Sequence, residues 1–280
     1  MAGEAEGLGA GDLVGAVAVG LAGLEAEAGS VAAAAAHPGS ETMAKMTLDD
    51  VVEQLRAAYG AHLTAVVLYG SAAKGEHTRQ SDYNVLLLLD AIDGATLAAA
   101  SSVARAWRDA GNPPPMTMTV DEWHRSADVF PMEYADILER HRVLYGVAPF
   151  NGVQVSKENL RLQLEQQVMG KLLQLRQGAL LAGTDGKRQL ELLTASLSTM
   201  MVLFRAVLRL HGERPGEDNV ALATRVGALA SFDAASFVRV VQHIRGENVI
   251  DAGAAGTLLG SYLAGIEQLD RHLDGFTAQQ

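Results

Sequence analysis

The 280-residue sequence contains no cysteine. Disulfides, thiol nucleophiles and cysteine-ligated metals are thereby excluded, and a reducing compartment fits. Lysine and arginine are missing from the first 44 residues, so no basic start precedes an apolar core and a secretory leader is not expected. No dense Lys/Arg block occurs anywhere, and the net charge is −11. Such a chain is a poor candidate for non-specific nucleic-acid binding. Long hydrophobic runs are scarce as well. Val14 to Leu24 is glycine-rich and about half the roughly 20 residues that span a bilayer, so no membrane partner is expected. The histidines show no His-x-x-x-His spacing that would suggest a metal centre. Together these absences lead to the expectation of a cytoplasmic protein.

Hydrophobic residues nevertheless make up 49% of the chain, enough for a packed core in one large domain or two smaller ones. Residues 1–42 are mostly Ala, Gly, Glu and Val, a composition expected to give a flexible or loosely helical extension. Met43 and Met46 stand just before the first convincing helix, which places the expected natural start there.

That helix opens with Thr47 as cap and Asp50 in its first turn, with Leu48, Val51, Val52 and Leu55 as its apolar stripe. His62 to Tyr69 is rich in strand formers. Val85 to Leu89 is an apolar run suited to a strand buried on both faces. Ala95 to Ala110 is helical by propensity. After "GNPPP", the alternation of Met116, Met118 and Val120 with Thr117, Thr119 and Asp121 predicts a further strand. "HRVLYG", 141–146, predicts another. Beyond Ser156 the period changes. Leu160, Leu164, Val168 and Leu172 recur every fourth residue, and similar stripes run through Leu193 to Val207, Phe237 to Ile244 and Leu259 to Leu273. The expected architecture is α+β: a small mixed sheet with flanking helices over residues 43–150, then an α-helical bundle over 151–280.

Chemistry concentrates in "LYGSAAKGEHTRQSDYNVLLLLD", residues 68–90. A strand that runs into Gly70-Ser71 and a small-residue turn suits phosphate: glycine lets the backbone approach, exposed N–H groups face the anion, and a hydroxyl adds a donor. Lys74 is placed to add a positive charge. Asp82 precedes a buried strand, with Asn84 two residues on and on the same face. Two oxygen ligands so placed, beside a phosphate-binding turn, suit Mg²⁺ (or Mn²⁺) carrying a nucleoside triphosphate. His77 lies in the loop between them, within possible reach of a phosphate.

This stretch resembles the signature of the DNA polymerase β-like nucleotidyltransferase superfamily, Gly-Ser, ten residues, then Asp-x-Asp on the next strand. Gly70-Ser71 and Asp82 match, residues 72–81 fill the gap, and Gly75 and Ser81 fall where the family often has them. A helical domain after the catalytic one is similar to bacterial two-domain members. The resemblance implies an NTP on Gly70, Ser71, Lys74 and Ser81, a metal on Asp82 and Asn84, and transfer of a nucleoside monophosphate to a hydroxyl of a small molecule or protein.

Asn84 departs from the pattern, because an amide carbonyl carries no negative charge. Near a divalent ion, at an effective dielectric of about 20, losing one charge forfeits on the order of several kcal/mol before desolvation. The family also has a third carboxylate on a later strand, often the general base. Asp121, on the polar face of "MTMTVDEW", is the expected equivalent, with helix capping as its other reading. These departures keep a second function open: a catalytically inactive, nucleotide-binding regulator. A third rests on Arg205 and His211, with five residues between them, which resemble the Arg…His element of HEPN ribonucleases and suggest a helical ribonuclease or toxin-antitoxin partner. Gln163, Gln166, Gln167, Lys171, Gln174 and Arg176 form a polar helix surface suited to a cleft.

Overall fold

The computed structural model describes residues 46–74, 82–216 and 218–277. The extension through residue 42 and Met43 lie outside the described residues. Helix α1 (Leu48–Tyr59) is opened by a capping box: the Thr47 hydroxyl accepts from the Asp50 amide while the Asp50 carboxylate accepts from the Thr47 amide. Two orphan N–H groups are satisfied reciprocally in this way.

Four strands follow: β1 (Leu63–Tyr69), β2 (Asn84–Leu89), β3 (Met116–Thr119) and β4 (His141–Gly146), in the spatial order β3-β2-β1-β4. Both neighbours of β1 run antiparallel to it, whereas β2 and β3 are parallel. The connection between β2 and β3 is helical, as expected, and carries two helices, α2 (Gly94–Ala99) and α3 (Ser101–Asp109). Asp93 caps the first of them through the Thr96 amide, and the pair breaks at Ala100.

Side-chain alternation gives the sheet two different faces. Val66, Leu68, Val85, Leu87 and Leu89 pack against α1 and α3, with Trp107 at the centre of that layer. Ala65, Val67, Leu86, Leu88, Met116 and Met118 face α4 (Val120–Arg125) and α5 (Pro131–Glu139). Trp123 and Tyr134 stack there with ring centroids 4.1 Å apart, and the Tyr134 hydroxyl donates to the Trp123 carbonyl. Since β2 is covered on both sides, its unbroken apolar run is explained.

The rest of the chain is helical: α6 (Lys157–Ala182), α7 (Gly186–Leu210), α8 (Asn219–Ala230), α9 (Ala235–Ile244) and α10 (Ala255–Asp274). By length and composition α7 could cross a membrane. Here its stripe of Leu193, Met200, Phe204 and Val207 is buried among the other helices. Phe204, Phe237 and Tyr262 form the aromatic centre, where the Tyr262 and Ser196 hydroxyls hydrogen-bond at 3.0 Å. The architecture is thus α+β, a four-stranded mixed sheet with flanking helices followed by an α-helical bundle.

Candidate functional site

Strand β1 ends at Tyr69, and the chain turns at Gly70 with φ of 77°. That left-handed backbone favours glycine. The Gly70 amide donates to the Arg140 carbonyl at 3.1 Å, and its own carbonyl accepts from Ala73, closing a short 3-10 turn over Ser71–Lys74. A Cβ added to Gly70 would lie 3.5 Å from Nδ2 of Asn84 and 4.0 Å from Oδ2 of Asp136. The turn is therefore the meeting point of β1, the start of β2 and helix α5.

Register explains the meeting. Tyr69 pairs with Asn84 across the hairpin, so Gly70 lies level with the entry to β2, where Asp82 sits partly buried. The Tyr83 amide donates to the Asn112 side chain at 3.0 Å, fastening that entry to the segment before β3. Asn84 shares strand parity with Leu86 and Leu88 and so belongs to the α5 face. Gly70 and Asn84 are brought together, with Asp82 at the same end of the sheet. Ser81 and His77 lie outside the described residues, as do the side chains of Ser71 and Lys74.

Asp121 is not brought there, which corrects its assignment as the third carboxylate. Strands β2 and β3 pair in parallel from Leu86 beside Met116 to Leu89 beside Thr119. At about 3.3 Å per residue, Asn84 and Leu89 are separated by about 16 Å, and Asp121 lies beyond the far end. By alternation it goes with Thr117 and Thr119, on the face opposite Met116, Met118 and Asn84, so it has both the wrong face and the wrong end of the sheet. Thr119 and Glu122 form the capping box of α4, and Asp121 pairs with Arg125 at 2.9 Å while 79% exposed.

A different set of charges surrounds the turn. From α5, Asp136 accepts from Arg140 at 3.1 Å and from Arg209 of α7 at 2.7 Å, both through Oδ1. Arg209 also holds Glu139 at 2.7 Å. One turn earlier, Glu133 accepts from the Gln163 side chain at 3.0 Å, and the Gln163 carbonyl accepts from the Met132 amide. Burial, and then Asp136, push the Glu133 carboxyl above its usual range. Burial, then Asp136 and Glu133, push the Tyr69 phenol up likewise. Arg140 is itself buried, and its Nε has no hydrogen-bond partner. This cluster fastens the glycine turn to the bundle. Sequence reading passed over it, although Glu133, Asp136 and Glu139 recur every third residue and so share a helix face. Gln163, expected to line a cleft, is one of the fasteners.

Asn84 now has a physical reason. Its amide and the Asp136 carboxylate both lie within 4.0 Å of one point beside Gly70. An aspartate at position 84 would set like charges together, and the neutral amide avoids this. Among the described residues no group of three or more His, Asp or Glu is disposed to hold a metal ion. The donors at this end, the Asp82 carboxylate and the Asn84 carbonyl, fit an Mg²⁺ that arrives with phosphate and water ligands of its own. They do not make a resident multi-carboxylate centre. Hollows among the described residues lie elsewhere, one of about 510 Å³ between Thr184–Gln189 and Ala252–Thr257 and another of about 460 Å³ beside Arg56 and Tyr145.

No family model matches this sequence, and no curated protein does. Among solved structures, the spectinomycin adenyltransferase AAD(9) from Enterococcus faecialis, crystallised with ATP and spectinomycin, is similar with a TM-score of 0.51 at 10% identity, over 81% of this chain and 97% of that one. A toxin-antitoxin structure with AMP-PNP covers 48% of this chain and 96% of its own at 16% identity, with a TM-score of 0.26, too slight a likeness to argue from. The first similarity defines the fold as nucleotidyltransferase-like, with a sheet and a following helical bundle.

Proposed function

We propose that this protein binds a nucleoside triphosphate with Mg²⁺ (or Mn²⁺) on a domain of residues 43–150, facing a helical domain of residues 151–280. Its transfer of a nucleoside monophosphate to a hydroxyl acceptor, a small molecule or a protein, is slow. One observation carries the reading: the left-handed Gly70 turn, Asn84 and Asp136 converge where Asp82 enters β2. In this proposal the triphosphate follows the Gly70-Ser71 backbone, with Lys74 and Ser81 as further donors. The Asp82 carboxylate and Asn84 carbonyl hold the nucleotide's metal, which neutralises phosphate charge and polarises the α-phosphate. In the transfer step the acceptor oxygen bonds to the α-phosphorus, pyrophosphate leaves, and the acceptor proton passes to a base or to water. Asp121, the expected third carboxylate, lies beyond the far end of the sheet and pairs with Arg125, and Oδ1 of Asp136 is already occupied by two guanidinium groups. Both features argue for a slow step.

The same two features favour a second reading, a regulator that binds nucleotide without transferring it. The ribonuclease reading has less support: Arg205 donates to Asn219 at 2.9 Å, and His211 is bonded to His272. Titration calorimetry with ATP, CTP, GTP and UTP, each with Mg²⁺, tests the proposal alongside an assay for pyrophosphate release. We expect at least one triphosphate to bind and Asp82→Ala to weaken it by about tenfold or more. Binding with no pyrophosphate release under any acceptor selects the regulator. If no triphosphate binds, both readings fail.

A further inference from the structure

Helix α6 carries two apolar stripes, and only one of them is covered. Leu160, Leu164, Val168, Leu172 and Leu175 point into the bundle core. On the opposite side, Leu162, Met169, Leu173 and Leu180 are 50%, 39%, 49% and 83% exposed. At about 100° per residue these four fall within about 40° of one another and form a straight seam about 27 Å long. Their steps of seven, four and seven residues are those of a heptad, and Gln166 and Arg176 fill the two remaining places in it. The outer face of a bundle helix is ordinarily polar. Scattered exposed leucines need no explanation, but a continuous line of them does.

We propose that this seam joins two copies of the chain, with α6 pairing antiparallel against α6 of the second copy about a two-fold axis. The spacing reads the same from either end. Antiparallel pairing centred near Lys171 sets Leu162 against Leu180, Met169 against Leu173, and Gln166 against Arg176. Every heptad layer is then filled, and the symmetry closes. Parallel pairing would stack Arg176 on its own copy and leave two like charges in one layer. The antiparallel arrangement instead gives Arg176 an amide oxygen to meet, and such a polar layer fixes register and orientation. Arg176 is already steadied by Glu267 of α10 at 2.8 Å. Arg161 and Glu165, to one side of the seam, are paired with each other, and Lys171 lies on the far side of the helix. A single-helix seam falls at the small end of specific interfaces, which sets the expected dissociation constant on the order of micromolar.

Sedimentation velocity across about 1–200 μM tests this on the full chain, with a concentration-dependent monomer–dimer equilibrium expected. Leu173→Glu should weaken it by about a hundredfold or more, whereas Leu181→Glu, at a still more exposed position but about a quarter turn from the seam, should leave it unchanged. Circular dichroism and a thermal melt establish that Leu173→Glu is still folded, as expected for a side chain half in solvent. Because the chain has no cysteine of its own, orientation can be read directly. Met169→Cys mixed with Leu173→Cys under mild oxidation should yield the mixed disulfide dimer in preference to either self-linked one. A monomer at every concentration, a dimer indifferent to Leu173→Glu, or a predominance of self-linked products overturns the proposal.

Discussion

The two ends of the sheet carry similar residues and treat them differently. At the end beyond Leu89, Asp121 is exposed, holds one partner on its own helix, and belongs to the start of α4. At the end beside Gly70, Asp136, Glu139 and Glu133 are mostly covered, and the first two share Arg209 from a helix some 70 residues away in sequence. Solvent screens the first arrangement, so its energetic weight is small. Taking the second arrangement apart leaves charges stranded away from water.

Breaking the clamp should give the largest effect. Arg209→Ala leaves Asp136 and Glu139 largely covered without their partner and should cost about 2–3 kcal/mol of unfolding free energy, measured by urea denaturation. Next comes Asn84→Asp, which sets a second carboxylate beside Asp136. It should destabilise by about 1–2 kcal/mol at pH 7, and Asp136→Asn in the same chain should relieve most of that loss in a double-mutant cycle. If Asn84→Asp is instead neutral or stabilising without a metal present, the proximity argument for the amide is wrong.

A smaller effect concerns His211 and His272, whose Nε2 atoms are 3.0 Å apart. The head-on distance accommodates one proton between them. Burial, then His272, hold the His211 imidazole below its usual range. Lys157 and Arg225 add to this, and Glu213 opposes it. Burial does the same for His272. The unfolded chain therefore takes up protons first as pH falls. This contribution to stability is present above about pH 6.5 and is lost as pH drops through the folded-state values. Unfolding free energy should decline from pH 7.5 to 5, and more steeply than in His272→Gln. The smallest effect is expected at the other end of the sheet: Asp121→Ala should stay within about 0.5 kcal/mol of wild type and leave triphosphate binding unchanged.

Much of the fold could be read locally. The Thr47–Asp50 box, the apolar run of β2 and the fourfold recurrence in α6 each need only a few neighbouring residues to explain them. The stretch 95–110 is helical as expected, but it forms two helices that part at Ala100, where no residue in the sequence marks a break. Asp121 failed for a different reason. Alternation assigns a residue to a face of the sheet and says nothing about which end of a neighbouring strand it will occupy, and the parallel pairing of β2 with β3 was not written in the segment. Asp136 and Glu133 were missed because their importance comes from Gly70, Arg209 and Gln163, all distant along the chain.

By itself, then, the sequence determined which segments become helices and strands and where a tight glycine turn would form, since periodicity, capping and the left-handed freedom of glycine act over a few residues. Only the tertiary structure decided which carboxylates share that turn and which of them lies near position 84. Charge interactions act through space, and strand direction together with helix packing set the distances over which they act.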